Sequence, residues 1–177
     1  IKFEDITHFK FPSADDLLDP MLLTNMQEGA KMLISHIGQN DKIFIQVDAD
    51  CDGYTSAAIL INYLNCLFPH FVQTNISYRV HDGKQHGLLV ETIPDDVKLV
   101  IAPDSSSSDF EEHEELAKRG IDVLVLDHHE AEKFSEYACV INNQLCDYPT
   151  KALSGAGVVY KFCCYLDSLL GFDYAND

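Results

Sequence analysis

Residues 42–67, KIFIQVDADCDGYTSAAILINYLNCL, place a strand, an acidic loop and a helix in immediate succession. Lys42–Val47 is a short apolar run rich in β-branched and aromatic residues, which predicts a buried strand. The acidic residues 48–53 follow as a loop, and residues 55–67 are predicted to form a helix. A buried strand that leads through a polar loop into a helix is the repeating unit of α/β proteins.

The rest of the chain continues this alternation. Further strands are predicted at residues 75–80, 98–102 and 122–126, and further helices at residues 109–119 and 155–170. Upstream, Asp19 and Pro20 mark a helix start, and apolar residues recur at helical spacing from Met21 to Ile37 until Gly38 stops the run. The pattern predicts an α/β fold with a parallel sheet, mixed at most at one edge, and helices on both faces.

The length and composition predict one domain. A chain of 177 residues, 46% of them hydrophobic, can bury one substantial core. We expect a single catalytic domain over residues 1–177, with a helical lead-in at residues 1–40 and a motif-bearing core at residues 41–170. Because the first residue is Ile1 and the last residues carry no cap, we also expect the chain to be a fragment of a longer protein.

The cysteines and the charge bear on compartment and partners. No run approaches the roughly 20 apolar residues of a membrane span, and the six cysteines form no C-x-x-C pair, so a cytoplasmic protein with reduced thiols and no membrane partner is expected. The formal net charge is −17, from 29 acidic and 12 basic residues, which opposes nucleic-acid binding through phosphate neutralisation alone. A minority of these carboxylates could instead converge on divalent cations, which reverse the local sign.

Three polar clusters directly follow predicted strands. They contain the residues Asp48, Asp50, Asp52, Asp104, Asp127, His128 and His129. In an open parallel sheet, the loops beyond the carboxyl ends of the strands lie side by side and form the ligand crevice. Mg²⁺ and Mn²⁺ prefer carboxylate oxygen, and imidazole in the set favours Mn²⁺. The sequence therefore predicts a manganese site, in which two ions about 3.5–4 Å apart would activate a water and clamp the oxygens of a phosphate.

Helix capping is the alternative explanation for each aspartate taken singly. An aspartate before a helix is a common N-cap, so Asp48, Asp50 or Asp104 alone would be explained in that way. Capping does not explain the adjacent His128 and His129 at a strand end. The set as a whole therefore favours a metal site.

Three other motifs fit less well. His113 lacks the second histidine of a helical zinc site, because residue 117 is alanine. Residues 155–157 begin a dinucleotide-binding fingerprint, but Tyr160 stands where its third glycine should be. The serines at residues 105–108 lack the glycines of a nucleophile elbow, so capping and phosphate hydrogen bonding are the roles predicted for their hydroxyls.

Several of these segments resemble one known family. VDADCDGYTS (residues 47–56), APD (102–104) and LDHHE (126–130) resemble the first three motifs of the DHH phosphoesterases. LSGAGV (residues 153–158), which follows residues 140–143 and 147–149, resembles the RecJ branch of single-strand-specific exonucleases. The resemblance covers residues 42–170. Gln46 departs from it, because related pyrophosphatases have a histidine there, and this disfavours a pyrophosphatase.

The resemblance implies roles for the strand-end residues. The implied metal ligands are Asp50, Asp52, Asp104 and His128, with Asp104 bridging two Mn²⁺ ions, or Mg²⁺ in their place. Asp48 would be a further ligand or a support for one. Asp127 would orient the neighbouring imidazole, and His129 would face the scissile phosphate to position it or assist the attacking water.

A second group of residues is implied to contact substrate. Ser154, Gly155, Ala156 and Gly157 lie at a predicted helix start, where backbone N–H groups and the helix dipole suit a phosphate. A tight glycine-rich turn with close helix packing is the alternative for this segment. Arg79, Lys84 and His86, in a loop after a further strand, resemble a family segment near substrate.

The function implied is a metal-dependent phosphodiesterase, the core of a RecJ-like 5′ to 3′ exonuclease acting on single-stranded DNA. Two alternatives stay open: a phosphodiesterase for oligonucleotides or cyclic dinucleotides, and a catalytically silent scaffold in a replication or repair complex. Replication or repair proteins are the macromolecular partners expected. The family's further metal-binding aspartate and its C-terminal second domain have no counterpart before Asp177.

Overall fold

The computed structural model describes residues 6, 9–11, 13 and 16–176 of the chain. Its strands are β1 (Lys42–Val47), β2 (Ile76–Val80), β3 (Val97–Pro103), β4 (Asp122–Asp127) and β5 (Cys139–Asn142). Its helices are α1 (Met26–Gln39), α2 (Cys51–Leu67), α3 (Pro69–Asn75), α4 (Phe110–Lys118) and α5 (Gly155–Leu170). Two 3₁₀ turns, Pro20–Leu22 before α1 and Val90–Thr92 between β2 and β3, accompany these elements.

The five strands form one sheet in the order β2-β1-β3-β4-β5, and every neighbouring pair is parallel. The predicted α/β class is confirmed, and neither edge is mixed. The chain reverses its direction across the sheet between β1 and β3, which lie side by side although they are not consecutive. Ligands bind at such a switch point, beyond the carboxyl ends of the strands.

The side chains of alternate strand residues pack into two separate hydrophobic cores, one on each face of the sheet. Residues such as Ile43 and Ile101 pack in a cluster with α1, α2 and α5 on one face. Their neighbours Phe44 and Val100 pack with Leu116 of α4 on the other face. This period of two on a doubly covered sheet explains why the strands are apolar throughout.

Two predicted boundaries are wrong. The first predicted helix is split, because Asn25 adopts a left-handed conformation (φ 67°) and its side chain donates to the carbonyl of Val140 on β5. Gly38 does not stop α1, which continues to Gln39 and is capped by Asn40 in a left-handed conformation (φ 58°). The sequence pattern does not show the contact between Asn25 and Val140.

The chain also contains two elements that were not predicted. Residues 69–75 form α3, so Asn75 ends a helix and does not begin β2. Residues 139–142 form β5, an edge strand of only four residues. Among the described residues, no helix is both long and apolar enough to span a bilayer.

Candidate metal centre

Asp104 is a fully buried carboxylate at the carboxyl edge of the sheet. It follows β3 with a positive φ of 67° and is 1% exposed. Neither of its oxygens has a hydrogen-bond partner among the described residues. Burial, followed by the nearby carboxylates of Asp52 and Asp50, raises the pKa of Asp104 to about 7. A buried acceptor without a donor is costly, and a divalent cation is the group that would satisfy it.

Two further side chains converge on Asp104. The Nε2 atom of His128 lies 3.2 Å from Asp104 Oδ1 and 3.5 Å from Asp52 Oδ2. The 3.2 Å contact lacks the alignment of a hydrogen bond, which agrees with the unpaired oxygens of Asp104. One ligand atom each from Asp104, His128 and His129 also lie within 4.8 Å of one another. Residues from the loops after three strands therefore meet at one point, as the sequence predicted.

Asp127 fixes the orientation of His129. Its Oδ1 accepts hydrogen bonds from His129 Nδ1 (2.8 Å) and from the backbone N–H of His128 (2.7 Å), while its Oδ2 accepts from the Ser107 N–H (3.1 Å). Burial opposes its charge, but the bonds from His129 and Ser107 outweigh burial and lower the pKa of Asp127 to about 2. The hydrogen bond to Asp127 raises the pKa of His129 to about 9. His129 therefore carries its proton at neutral pH while its ring is more than half exposed.

Asp50 and Asp52 lie at the start of α2 and not in the predicted loop over residues 48–53. The Asp50 side chain caps the helix by accepting from the Gly53 N–H (2.8 Å), so α2 begins at Cys51. Asp52 is in the first helical turn and points towards His128. The capping explanation therefore holds for Asp50, while Asp50 still acts electrostatically on Asp104.

Asp48 is tied to a histidine that the sequence analysis did not single out. His81, directly after β2, places Nδ1 3.0 Å from Asp48 Oδ1 and Nε2 2.7 Å from the carbonyl of Gly87. The His81 ring therefore joins the end of β1 to the loop that contains Gly87. Burial acts against the charge of Asp48, but the hydrogen bond from His81 outweighs it and holds the pKa of Asp48 below its ordinary value. Of the two predicted roles, this geometry favours support over direct ligation.

Asn142 is a second residue that the sequence analysis missed. It ends β5, and its Nδ2 donates to Ser107 Oγ (2.7 Å) and to the carbonyl of His129 (2.9 Å). Its Oδ1 accepts from the Gln144 N–H (2.7 Å). A polar residue directly after an apolar run was the signal that identified Asp104, and the same signal marks Asn142 and His81.

The residues predicted to contact substrate are not all at the centre. Arg79 lies within β2 and not in the loop after it, and its carbonyl accepts from Gln46. Lys84 and His86 are in the loop and exposed, with His86 Nδ1 3.5 Å from Asp48 Oδ1. A cleft of about 380 Å³ runs beside the centre, lined by His86, His129 and the serines at residues 105–108 among others.

The predicted phosphate-binding segment has acceptors of its own. Ser154 caps α5 by accepting from the Gly157 N–H (3.2 Å). The N–H groups of Gly155 and Ala156 donate to the carboxylate of Asp52. Phosphate binding by this segment stays a prediction. In the structure, all three N–H groups are hydrogen-bonded to protein side chains.

Comparison with known proteins gives the same assignment as the motifs. The model of the DHH family, N-terminal domain, matches residues 42–175. YorK of Bacillus subtilis (strain 168), an SPbeta prophage-derived protein provisionally named a single-strand DNA-specific exonuclease, is 53% identical over 155 residues, which are 87% of this chain and 26% of YorK. The single-stranded-DNA-specific exonuclease RecJ of Thermus thermophilus is 29% identical over 170 residues, 93% of this chain and 25% of that protein.

A solved structure agrees in fold as well. The exonuclease RecJ bound to manganese superposes with a TM-score of 0.76 at 25% identity, covering 89% of this chain and 41% of that one. The chain thus spans about a quarter of the length of the curated relatives described above. The matched range holds all three strand-end clusters, and the resemblance to the RecJ branch is confirmed. The chain therefore belongs to the DHH family, and the part of the family that it matches is the N-terminal domain.

Proposed function

We propose that this chain carries the metal-binding site of a RecJ-like exonuclease that hydrolyses phosphodiester bonds in single-stranded DNA. The observation that carries the proposal is Asp104, a buried carboxylate with two unpaired oxygens beside His128 and Asp52. A scaffold protein has no need of such a group, because an uncompensated buried carboxylate destabilises the fold. The relatives support the substrate, since YorK and RecJ are both named for single-strand DNA-specific exonuclease activity.

The residues present fit divalent cations. Asp50, Asp52, Asp104 and His128 would hold the ions, and Asp48 would support the site from its bond to His81. Mixed carboxylate and imidazole donors favour Mn²⁺, with Mg²⁺ as the alternative, and a RecJ of known structure binds manganese. When bound, the ions supply Lewis-acid stabilisation of the phosphate oxygens and activation of the attacking water.

His129 would contact the phosphate. Asp127 accepts from its Nδ1 and raises its pKa to about 9 in the metal-free protein, so the ring there keeps a proton on Nε2 at neutral pH. A protonated imidazole donates to a phosphate oxygen and cannot remove a proton from water. Of the two roles implied for His129, positioning of the phosphate is therefore the one that we propose.

The test is hydrolysis by the purified full-length protein with Mn²⁺. We expect nucleotides to be released stepwise from labelled single-stranded DNA, and Asp104→Asn to reduce the rate by more than about 100-fold, since even the groups behind metal ligands contribute 10–100-fold. Asp96→Asn, at an exposed aspartate that precedes β3 and so lies at the edge of the sheet opposite to the three clusters, is the control and should match the wild type.

The same assay separates the alternatives. Cleavage of a dinucleotide or a cyclic dinucleotide, with long single strands left intact, would replace the exonuclease by an oligonucleotide phosphodiesterase. No cleavage of either substrate, in a protein that is folded and loaded with Mn²⁺, would leave the scaffold as the function. End-labelling at the 5′ or the 3′ terminus tests the proposed 5′ to 3′ direction.

A further inference from the structure

The N-terminus of α5 holds the side chain of Asp52. Gly155 N–H donates to Asp52 Oδ2 at 2.8 Å, and Ala156 N–H donates to Asp52 Oδ1 at 2.9 Å. The first N–H groups of a helix have no partner inside the helix, and the positive end of the helix dipole favours a negative charge. Both oxygens of Asp52 are thus fixed by a helix that begins about one hundred residues later in the chain.

The same glycine touches Asp104. A Cβ atom at residue 155 would lie 2.2 Å from Asp104 Oδ1, 2.5 Å from its Cγ and 2.6 Å from its Cβ. Asp104 cannot swing away easily, because it is buried and its backbone has a positive φ. Only glycine fits at residue 155 with Asp104 in its present position.

Gly155 therefore lies between two of the proposed metal ligands. Asp52 Oδ2, which it binds, and Asp104 Oδ1, which it contacts, approach the same atom of His128 at 3.5 and 3.2 Å. A change at residue 155 would alter the spacing of both carboxylates around that histidine. The N–H groups of residues 155–157 all have protein acceptors, so phosphate would have to displace Asp52 or Ser154 to reach them.

We propose that Gly155 and Ala156 position the metal centre: their N–H groups orient Asp52, and the absent side chain of Gly155 sets the place of Asp104. This inference rests on the proposed function, because it requires that the two carboxylates bind metal. Residues 155 and 156 would then act by holding the proposed metal ligands in place and not by binding the phosphate directly. Fixing the ligands before metal arrives lowers the cost of ordering them, so the affinity for the ion should depend on residues 155 and 156.

The experiment measures Mn²⁺ binding by titration calorimetry and by electron paramagnetic resonance of the bound ion, in the full-length protein. Gly155→Ala should weaken Mn²⁺ binding by about 10-fold or more and change the spectrum of the bound ion. Ala156→Pro replaces one N–H donor to Asp52 by the ring Cδ atom, so that the Asp52 carboxylate loses a hydrogen bond and must move, and proline is tolerated in the first turn of a helix. It should weaken binding by several-fold.

Gly157→Ala is the matched control. It lies in the same helical turn, its N–H donates to Ser154, and the nearest atom to an added Cβ would be the flexible Cδ2 of Leu153 at 3.3 Å. Its Mn²⁺ affinity should stay within about 2-fold of the wild type. Circular dichroism in EDTA shows whether each metal-free variant is folded.

The outcomes are distinguishable. If either variant, Gly155→Ala or Ala156→Pro, is folded and binds Mn²⁺ like the wild type, the positioning role is wrong. The proposed function would then still stand. If Gly155→Ala does not fold, Ala156→Pro decides alone. If the wild type itself binds no Mn²⁺, the metal centre and this inference fall together.

Discussion

Asp104 should destabilise the metal-free protein in a pH-dependent way. Its pKa is about 7 in the folded chain against the ordinary 3.8, so the contribution of Asp104 itself to stability is most favourable below pH 3.8 and is lost as the pH rises through 7. Asp104→Asn removes this titration. In EDTA at pH 8 we expect the variant to be more stable than the wild type by on the order of 2 kcal/mol, with the difference shrinking towards pH 4.5.

Urea denaturation at the two pH values measures this difference. An Asp104→Asn variant that is equally stabilised at both would show that the carboxylate is not strained by burial. Saturating Mn²⁺ should reverse the order at pH 8, because the wild type alone gains the full binding energy.

Ser106 occupies a backbone conformation that suits glycine. Its φ is 78°, in a loop where Asp104 also has a positive φ. Left-handed conformations cost a residue with a side chain roughly 1 kcal/mol, so Ser106→Gly should stabilise the protein by up to about 1 kcal/mol. Thermal or urea unfolding in EDTA measures it.

Ser108→Gly is the control for that change. Ser108 has no positive φ, so glycine there only adds freedom to the unfolded chain and should lower stability by about 0.5 kcal/mol. Equal effects at both positions would mean that the backbone of Ser106 is not strained.

The sequence predicted the residues of the proposed metal site better than the groups that hold them in place. Asp104 and His128 were identifiable because polar residues directly followed apolar strands, and parallel strands bring their ends together. His81 and Asn142 follow strands in the same way, yet an isolated histidine or asparagine carries no signature of its own chemistry. Their roles become visible only in the structure, where His81 contacts Asp48 and Asn142 contacts Ser107.

Among the secondary-structure elements, the long helix α5 and the strand β1 were predicted accurately, whereas the short elements β5 and α3 were missed. The predicted helix at residues 155–170 coincides with α5, whereas β5 has four residues and α3 has seven. Periodicity needs several repeats before it can be recognised. The break before α1 depends on Asn25 reaching Val140, which lies 115 residues away in the chain.

The end of β5 should contribute to stability through Asn142. Its amide joins the loops after β3 and β4 by donating to Ser107 and to His129, and it accepts from Gln144. Asn142→Ala should lower the free energy of unfolding by about 2–3 kcal/mol, because it also leaves buried polar groups without partners. It should reduce Mn²⁺ affinity as well, since the loop bearing His129 loses its support.

Asn143→Ala is the matched control for this element. Asn143 is equally buried, but its side chain makes one long bond, to Thr150 at 3.3 Å, and its Oδ1 has no partner among the described residues. Its loss should cost about 1 kcal/mol and leave Mn²⁺ affinity unchanged. If both variants lose the same stability and the same Mn²⁺ affinity, the hydrogen bonds of Asn142 contribute nothing beyond the packing of its side chain.

For the whole molecule, charge decides how DNA can bind. With 29 acidic and 12 basic residues, the chain repels a polyanion except where cations offset its carboxylates. We therefore expect the 177-residue chain to bind fluorescent single-stranded DNA with Mn²⁺ present and to release it when EDTA is added. Fluorescence anisotropy measures both states.

The salt dependence of that binding tests the same idea quantitatively. Each phosphate neutralised by lysine or arginine contributes a slope of about −0.7 to log K against log salt for a single strand. Lys84 is the exposed lysine that the structure places in the loop beside the centre, so a slope shallower than about −2 is expected, and Lys84→Ala should make it shallower still. A steep slope that survives EDTA would instead locate the DNA on a basic surface away from Asp104, and the ions would then have no part in holding the strand.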